Sequence, residues 1–210
     1  MYDLEEQEKI DALKSYWQQH GRLIIVVVCA FAVGIAGVKF WQHHQQTQAE
    51  QASVAFSKLQ EGLQKNDAAG VKTIAAEIMV KYSGTHYAPM AALILAKSSV
   101  DSGDAKAAST QVQWAIDHAR DDDTRALARL KLAALLLDEK KYEEALRLLE
   151  QKHAEAMTTL VFDLKGDVHL AQGHAAEARA AYKLALEKSA PSSNYRNVIQ
   201  LKLDALGSTK

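Results

Sequence analysis

A run of apolar residues near the start of the chain constrains its fold more than any other feature. The run extends from Leu23 to Val38 and contains no charged or strongly polar side chain. As an α-helix it would measure about 24 Å, slightly less than a bilayer's hydrocarbon core of about 30 Å. Arg22 and Lys39 flank it, and their aliphatic stems extend its reach while their charges stay at the interface. The run is therefore long enough to cross a membrane.

Three structures could contain such a run: a cleaved signal peptide, a buried helix of a soluble protein or a permanent anchor. A signal peptide begins with a short basic region and ends at a pair of small residues. Here 22 residues, five of them acidic, precede the run, and it ends in Lys-Phe-Trp. A buried helix that is apolar on all sides would need a large surrounding core. We therefore predict a transmembrane helix over residues 22–41, with Trp17 and Trp41 near the two interfaces.

The basic residues around this helix predict its orientation. Three basic residues precede the run, whereas only Lys39 follows it before Lys58. Because basic residues accumulate on the cytoplasmic side, we predict that residues 1–21 form a cytoplasmic tail. Residues 42–210 would then lie in the periplasm of a bacterium with two membranes, anchored in its inner membrane. The opposite orientation, with this part in the cytoplasm, remains an alternative.

The composition predicts an all-α protein. The 210 residues include only two prolines and are rich in Ala, Leu, Glu, Lys and Gln, which favour helices. The formal net charge is −1, so the chain lacks the basic excess that neutralises phosphates, and we expect no nucleic-acid partner. Cys29 is the single cysteine. Packing rather than an intramolecular disulfide must therefore hold the fold.

The residues beyond the apolar run repeat with a period near 34. The tetratricopeptide pattern has small residues at positions 8, 20 and 27, a turn near 15–16 and a bulky residue at 24. In residues 159–192 the small positions hold Gly166, Ala178 and Ala185, and the bulky position holds Tyr182. Because small residues let two helices approach closely, the pattern predicts a helical hairpin there.

Two further segments fit this pattern and another fits it poorly. Residues 89–122 have alanine at all three small positions, and residues 126–158 fit except for Lys152 at the last of them. Residues 49–82 contain Gly70 but no clear pattern of small residues, and are predicted to form a degenerate hairpin. The sequence therefore predicts an α-solenoid of about four hairpins.

A single amphipathic helix is predicted after the last hairpin, over residues 194–206. Val198, Leu201 and Ala205 are predicted to form its apolar side. Because a solenoid needs a cap over its last open face, we predict that this helix covers the end of the stack. Whether it also covers part of the concave groove is left open by the sequence.

No motif in the sequence predicts catalysis, a cofactor or a metal site. The sequence contains no HExxH motif and no Cys/His cluster with zinc spacing. It also lacks a Gly-rich phosphate loop and a GxSxG motif. We therefore expect a protein that is not an enzyme and uses no cofactor. A hydrolase or transferase would instead need titratable residues clustered in a pocket.

The repeat pattern predicts a surface for partners. In tetratricopeptide stacks the first helices of successive hairpins line a concave groove through positions 2, 5, 9, 12 and 13. Most residues at these positions are apolar here, and an exposed apolar surface of that size marks a partner site. The candidate groove residues are Met90, Leu93, Lys97, Val100, Leu127, Leu130, Leu137, Leu160, Asp163, Asp167 and Leu170.

The order of these features resembles the YfgM family. The likeness rests on "ALKSYWQQHGR", on an anchor ending in "KFWQHHQ", and on "GTHYAPMAALILAK" (84–97) and "VFDLKGDVHLAQGHAAEARAAYKLAL" (161–186). The resemblance implies a membrane-anchored ancillary subunit of the SecYEG translocon with periplasmic repeats. It also implies association with a chaperone of the PpiD type and help in passing exported polypeptides to periplasmic chaperones. The alternative is a tetratricopeptide scaffold for another envelope complex, in division or outer-membrane biogenesis.

Overall fold

The computed structural model describes the backbone of residues 2–207, with side chains from residue 14 onward except at 15, 16, 19, 23, 24 and 28. Every regular element in this part of the chain is helical, so the predicted all-α class is confirmed. A 3₁₀ turn lies at Glu155–Met157. The α-helices are α1 (Tyr2–Gln64), α2 (Ala68–Lys81), α3 (Tyr87–Asp101), α4 (Ala105–His118), α5 (Asp122–Asp138), α6 (Tyr142–Leu149), α7 (Thr158–Ala171), α8 (Ala175–Lys188) and α9 (Tyr195–Ala205).

The chain divides into two compact units, residues 1–47 and residues 48–210. In the first unit α1 carries the apolar run, and side chains such as those of Val26, Phe31 and Val33 are exposed. Among the described residues, the segment His20–Gln64 is the one helix long and apolar enough to cross a membrane. The predicted long apolar helix in the N-terminal part of the chain is therefore confirmed.

The second unit is a stack of four helical hairpins followed by one further helix. The part of α1 from residue 48 onward packs against α2, and the other hairpins are α3 with α4, α5 with α6 and α7 with α8. The last helix, α9, packs against α8. The predicted solenoid of four hairpins with a capping helix is therefore confirmed.

Three groups of buried side chains hold this stack together. One lies between α1, α2 and α3 and includes Phe56. The second extends from α3 to α7 and includes Val112, and the third joins α8 to α9 around Tyr182 and Ile199. Trp114 on α4 packs against both the first and the second group. Neighbouring hairpins are therefore coupled through shared side chains, as in other solenoids.

The turn inside each hairpin has the same backbone geometry. Asn66, Gly103, Lys140 and Gly173 all have a positive φ, of 55°, 78°, 60° and 81° respectively. In each turn the next residue donates its backbone N–H to the carbonyl five residues earlier, with N···O distances of 2.8–2.9 Å. These bonds satisfy carbonyls that the end of a helix leaves without partners. The first hairpin, which fits the sequence pattern poorly, therefore has the same turn as the others.

The last hairpin shows why the pattern requires a small residue at its eighth position. Gly166 on α7 faces Tyr182 on α8, and a Cβ atom at position 166 would overlap the tyrosine ring. Tyr182 is fully buried, so its ring has no free space to move into. The close approach of α7 and α8 therefore depends on this glycine.

The third hairpin departs from the pattern because its second helix is short. Helix α6 has 8 residues, whereas α4 and α8 have 14 each. The chain leaves α6 after Leu149, and Lys152 is exposed in the connection to α7. Since Lys152 lies outside the helix, its side chain does not have to fit between two helices.

Helix α9 packs through a different side from the one predicted. Ile199 is fully buried, whereas Val198 is 43% and Leu201 is 69% exposed. Ala205 is exposed as well, so the prediction that Val198, Leu201 and Ala205 form the packed side is wrong. Polar bonds orient the helix instead, because Tyr195 and Lys202 lie on the same side of α9 as Ile199 and bond to carboxylates of α7.

The Gly166 contact yields a stability prediction. We expect Gly166→Ala to lower the free energy of unfolding by about 1–3 kcal/mol, because overpacking a filled core forces side chains apart. Alanine's better helix propensity offsets about 1 kcal/mol of the steric cost. Urea denaturation of the full chain measures the change. In a Tyr182→Leu background the same substitution should cost less, because the two sites are in contact. A Gly166→Ala protein as stable as the parent would contradict the packing argument.

Candidate partner-binding surface

The structure places the predicted groove residues on the first helices of three successive hairpins. Helix α5 packs against both α3 and α7, so the three rows of side chains are adjacent. Met90 and Val100 on α3 and Leu160 and Leu170 on α7 are exposed. These four apolar side chains are accessible to a partner.

The central part of the predicted groove is less open. Leu93, Leu130 and Leu137 are half-buried and pack against the largest core group, and Leu127 is half-buried as well. Lys97 is exposed and donates to a carboxylate oxygen of its own helix at 2.9 Å, as i,i+4 pairs on a helix surface do. At the centre of the predicted groove, only part of each leucine side chain is therefore accessible to a partner.

The two acidic residues of the predicted groove are already bound within the chain. Lys202 on α9 donates to Asp163 Oδ2 and to Asp167 Oδ2, at 2.8 Å each. Tyr195 Oη donates to Asp163 Oδ2 at 2.5 Å, and Tyr182 Oη donates to Asp167 Oδ1 at 2.7 Å. Asp163 is only 3% exposed. In this conformation α9 covers the Asp163 end of the groove, and we refer to these five residues as the α9 network.

The α9 network raises the pKa of each of its three donors. Burial raises the pKa of the Tyr182 hydroxyl far above its usual range, and its hydrogen bond to Asp167 raises it further. Burial and the bond to Asp163 raise the pKa of Tyr195 in the same way. Burial alone would lower the pKa of Lys202, but its hydrogen bonds to the two carboxylates outweigh burial, so the pKa is raised. All three donors therefore keep their protons at neutral pH.

Sequence reasoning missed the three donors of this network. A signal was present, because Asp163 and Asp167 are four residues apart on α7, and Tyr195 and Lys202 are seven apart on α9. Each pair therefore lies on one side of its helix. The sequence could not show that the two sides meet, since that depends on how α9 is oriented on α8.

A separate cleft lies between the second helices of two hairpins. It has a volume of about 710 Å³ and is formed by α4, α5 and α6. Its floor is apolar, and its rim carries both acidic and basic groups; the residues that define it include Trp114, Asp117, Leu132, Leu136, Glu144 and Arg147. The Trp114 ring stacks on His118 with a centroid distance of 3.8 Å. This cleft was not predicted from the sequence.

Within the residues that the structure describes, no group of three or more His, Cys, Asp or Glu side chains could hold a metal ion. Groups with shifted pKa values belong either to the α9 network or to ion pairs and hydrogen bonds at the surface. The features of this part of the chain that a partner could contact include the exposed apolar side chains of α3 and α7, the cleft and the α9 network.

A row of exposed apolar side chains on stacked hairpins is characteristic of a helical-repeat protein that binds other proteins. The family described as Tetratricopeptide repeat-like domain matches residues 14–208. The chain therefore belongs to that family.

Relatives along nearly the whole chain are more specific. An ancillary SecYEG translocon subunit of Neisseria gonorrhoeae is 29% identical over 204 residues, which is 97% of this chain and 98% of that protein. The protein of the same name from Haemophilus influenzae is 28% identical, covering 98% of this chain and 99% of its own. The one from Escherichia coli is 25% identical, covering 96% of each. These relatives confirm the resemblance to the YfgM family that the sequence predicts.

The solved structures support the fold. A chain described as MamA RS-1 ArsTM double mutant superimposes with a TM-score of 0.52 at 17% sequence identity. The match covers 75% of this chain and 87% of that one. At this level of identity the match supports the helical-repeat fold alone.

The raised pKa values predict how stability depends on pH. Unfolded tyrosine and lysine side chains lose their protons near pH 10, whereas the folded Tyr182, Tyr195 and Lys202 retain theirs. The network's contribution should therefore be complete below about pH 9 and should decline as the pH rises from about 10 to 12. Urea denaturation across this pH range measures the decline.

A pair of variants assigns the decline to the network. Tyr195→Phe removes one of the groups, so the free energy of unfolding should fall less steeply, by up to about 1.4 kcal/mol per pH unit. Tyr142→Phe, on α6 and outside the network, serves as the control and should decline like the parent. Equal slopes for the two variants would contradict the assignment.

Proposed function

We propose that this protein is a non-enzymatic, membrane-anchored adaptor that associates with the SecYEG translocon. The observation that carries the proposal is the likeness, over at least 96% of the chain, to proteins named ancillary SecYEG translocon subunit. The long apolar helix and the stack of repeats are the parts that such an adaptor requires. The anchor would keep the repeats next to the translocon, where a high local concentration makes weak contacts effective.

The proposed topology follows the distribution of basic residues. Residues 1–21 form the cytoplasmic tail, residues 22–41 cross the inner membrane, and residues 42–210 lie in the periplasm. The bilayer is then a direct partner of the apolar run. The repeats act on the side of the membrane where exported polypeptides emerge.

The proposed partners of the repeats are a periplasmic chaperone of the PpiD type and, through it, exported polypeptides. Met90, Val100, Leu160 and Leu170 supply the exposed apolar contacts, and Lys97 supplies a charge at the rim. The half-buried leucines of α5 form the floor between them. Exposed apolar side chains that line a concave helical surface are suited to an extended or helical segment of another protein.

Site-specific photocrosslinking tests the proposed surface. A photoreactive residue at Met90 or Leu160 in the full chain should crosslink in cells to translocon components, a PpiD-type chaperone or exported chains. The same residue at Gln113, exposed on α4 beside the cleft, is the matched control. Crosslinks from Gln113 alone would move the partner site to the cleft. Crosslinks only to division or outer-membrane assembly proteins would favour the alternative, a scaffold for another envelope complex.

Charge substitutions give a quantitative prediction for the same surface. Met90→Glu combined with Leu160→Glu should reduce recovery of the chaperone in mild detergent at least tenfold, because truncating or charging a contact residue costs about 1–2 kcal/mol or more. Gln113→Glu should leave recovery unchanged. Full recovery with both groove residues charged would contradict the proposed surface.

A reporter fusion tests the topology. A reporter that is active only in the periplasm, fused after Lys210, should be active in the full chain. A reporter that works only in the cytoplasm should be inactive at the same position. The reverse result would place the repeats in the cytoplasm and would rule out contact with periplasmic chaperones.

A further inference from the structure

Helix α9 is held in place by a small apolar contact and by several polar contacts. Ile199 is its one fully buried side chain. Leu203 and Leu206 are partly buried against the core group to which Ile199 belongs. Toward α7, Tyr195 bonds to Asp163 and Lys202 bonds to both carboxylates. At its start Arg196 donates to two carbonyls at the end of α8, at 2.6 and 3.0 Å. The attachment of α9 therefore combines a small apolar contact with a few directed bonds.

The hairpin beneath α9 is held in a different way. There Gly166 and Tyr182 interlock, and Ala178, Tyr182 and Ala185 are all fully buried. Separating α7 from α8 would open this packed core, whereas lifting α9 would expose one fully buried side chain, Ile199, together with the partly buried Leu203 and Leu206 and the polar network. Elements with few buried apolar contacts open at the lowest free energy in a folded protein. Of the helices at this end of the stack, α9 is therefore the one most readily released.

The charges of the network also limit how firmly it holds. Two carboxylates share one ammonium group, so the ionic part of the network carries an unmatched negative charge. Desolvation of a buried ion pair offsets much of its attraction. Burial therefore reduces the net attraction that keeps α9 in its closed position.

The residues that α9 covers belong to the groove. Asp163 and Asp167 stand at the repeat positions that Leu93 and Lys97 occupy on α3, where Leu93 is half-buried and Lys97 is exposed. Phe162 packs against the core group shared by α8 and α9. Helix α9 thus closes one end of a surface that is open at its other end, around Met90.

We propose that α9 is a releasable strap over the Asp163 end of the groove, held closed by Lys202 and Tyr195. Release of the strap uncovers Asp163, Asp167 and the ring of Phe162 and lengthens the surface available to a partner. The opening is a property of the chain itself, whereas its effect on partners rests on the function proposed above.

Hydrogen exchange of the full chain in detergent tests the opening. In Lys202→Met the backbone amides of α9 should exchange at least tenfold faster than in the parent, while those of α7 and α8 remain protected. Lys183→Met, an exposed position on α8, is the matched control and should leave α9 unchanged. Unchanged protection of α9 in Lys202→Met would overturn the proposal.

Because Lys202→Met leaves two carboxylates without their cation, a second variant removes the charges as well. Asp163→Asn, Asp167→Asn and Lys202→Met together should also release α9 while sparing the hairpin beneath it. Slow exchange of α9 in this variant would mean that apolar packing alone holds the helix, and the strap would be rejected. Loss of protection throughout α7, α8 and α9 in both variants would also reject it.

A covalent link tests the strap in the opposite direction. Asp167→Cys and Lys202→Cys in a Cys29→Ser background place one thiol at each of two positions whose side chains now meet at 2.8 Å. A short bismaleimide joining them should restore the protection of α9, whereas the unlinked protein should resemble Lys202→Met. No gain in protection on linking would contradict the strap.

Partner crosslinking separates the strap from the adaptor function. With a photoreactive residue at Leu160, crosslinks in cells should increase at least twofold in Lys202→Met. Equal crosslinking of parent and variant, with α9 shown to be released, would reject the lengthened surface. If no variant crosslinks any partner, the adaptor function fails, and hydrogen exchange still decides whether α9 opens.

Discussion

The contact between Gly166 and Tyr182 is the interaction on which the end of the stack depends. Only a residue without a side chain lets the tyrosine ring lie against α7. With the ring in that position, the Tyr182 hydroxyl donates a hydrogen bond to Asp167 at 2.7 Å. The same carboxylate also accepts a hydrogen bond from Lys202 on α9. A steric requirement of the repeat pattern thus leads directly to the polar network that orients the capping helix. The orientation in which α9 caps the stack is therefore determined by the packing of α7 against α8.

The sequence predicted the elements of this fold better than their orientations. Repeating small residues are a local signal of close helix contact, so the hairpins of α3 to α8 could be recognised. Helix α9 was expected to bury Val198 and Leu201, because an apolar stripe usually faces the core. The stripe is exposed because tyrosine and lysine on the neighbouring side find buried carboxylates, and a sequence does not show which partner a polar group will meet.

The same limit applies to the candidate surface. Its apolar members follow from repeat positions, and the structure leaves Met90, Val100, Leu160 and Leu170 exposed. Asp163 and Asp167 lie at groove-facing repeat positions too, yet their carboxylates already bind tyrosine and lysine side chains of the same chain. Repeat positions predict which residues can face the groove. Whether those residues stay accessible depends on how the helices of the stack pack together.

The short helix α6 has a mechanical consequence. In a stack whose layers contact only their neighbours, stability is a sum of local terms, and a layer with fewer helical turns contributes the smallest interface on its outer side. The segment from residue 150 to the 3₁₀ turn at Glu155–Met157 joins this layer to the last hairpin. A force that pulls the two ends of the stack apart would pass through this joint. Under load the stack would yield there first, and the last hairpin would separate as a unit with its internal packing intact.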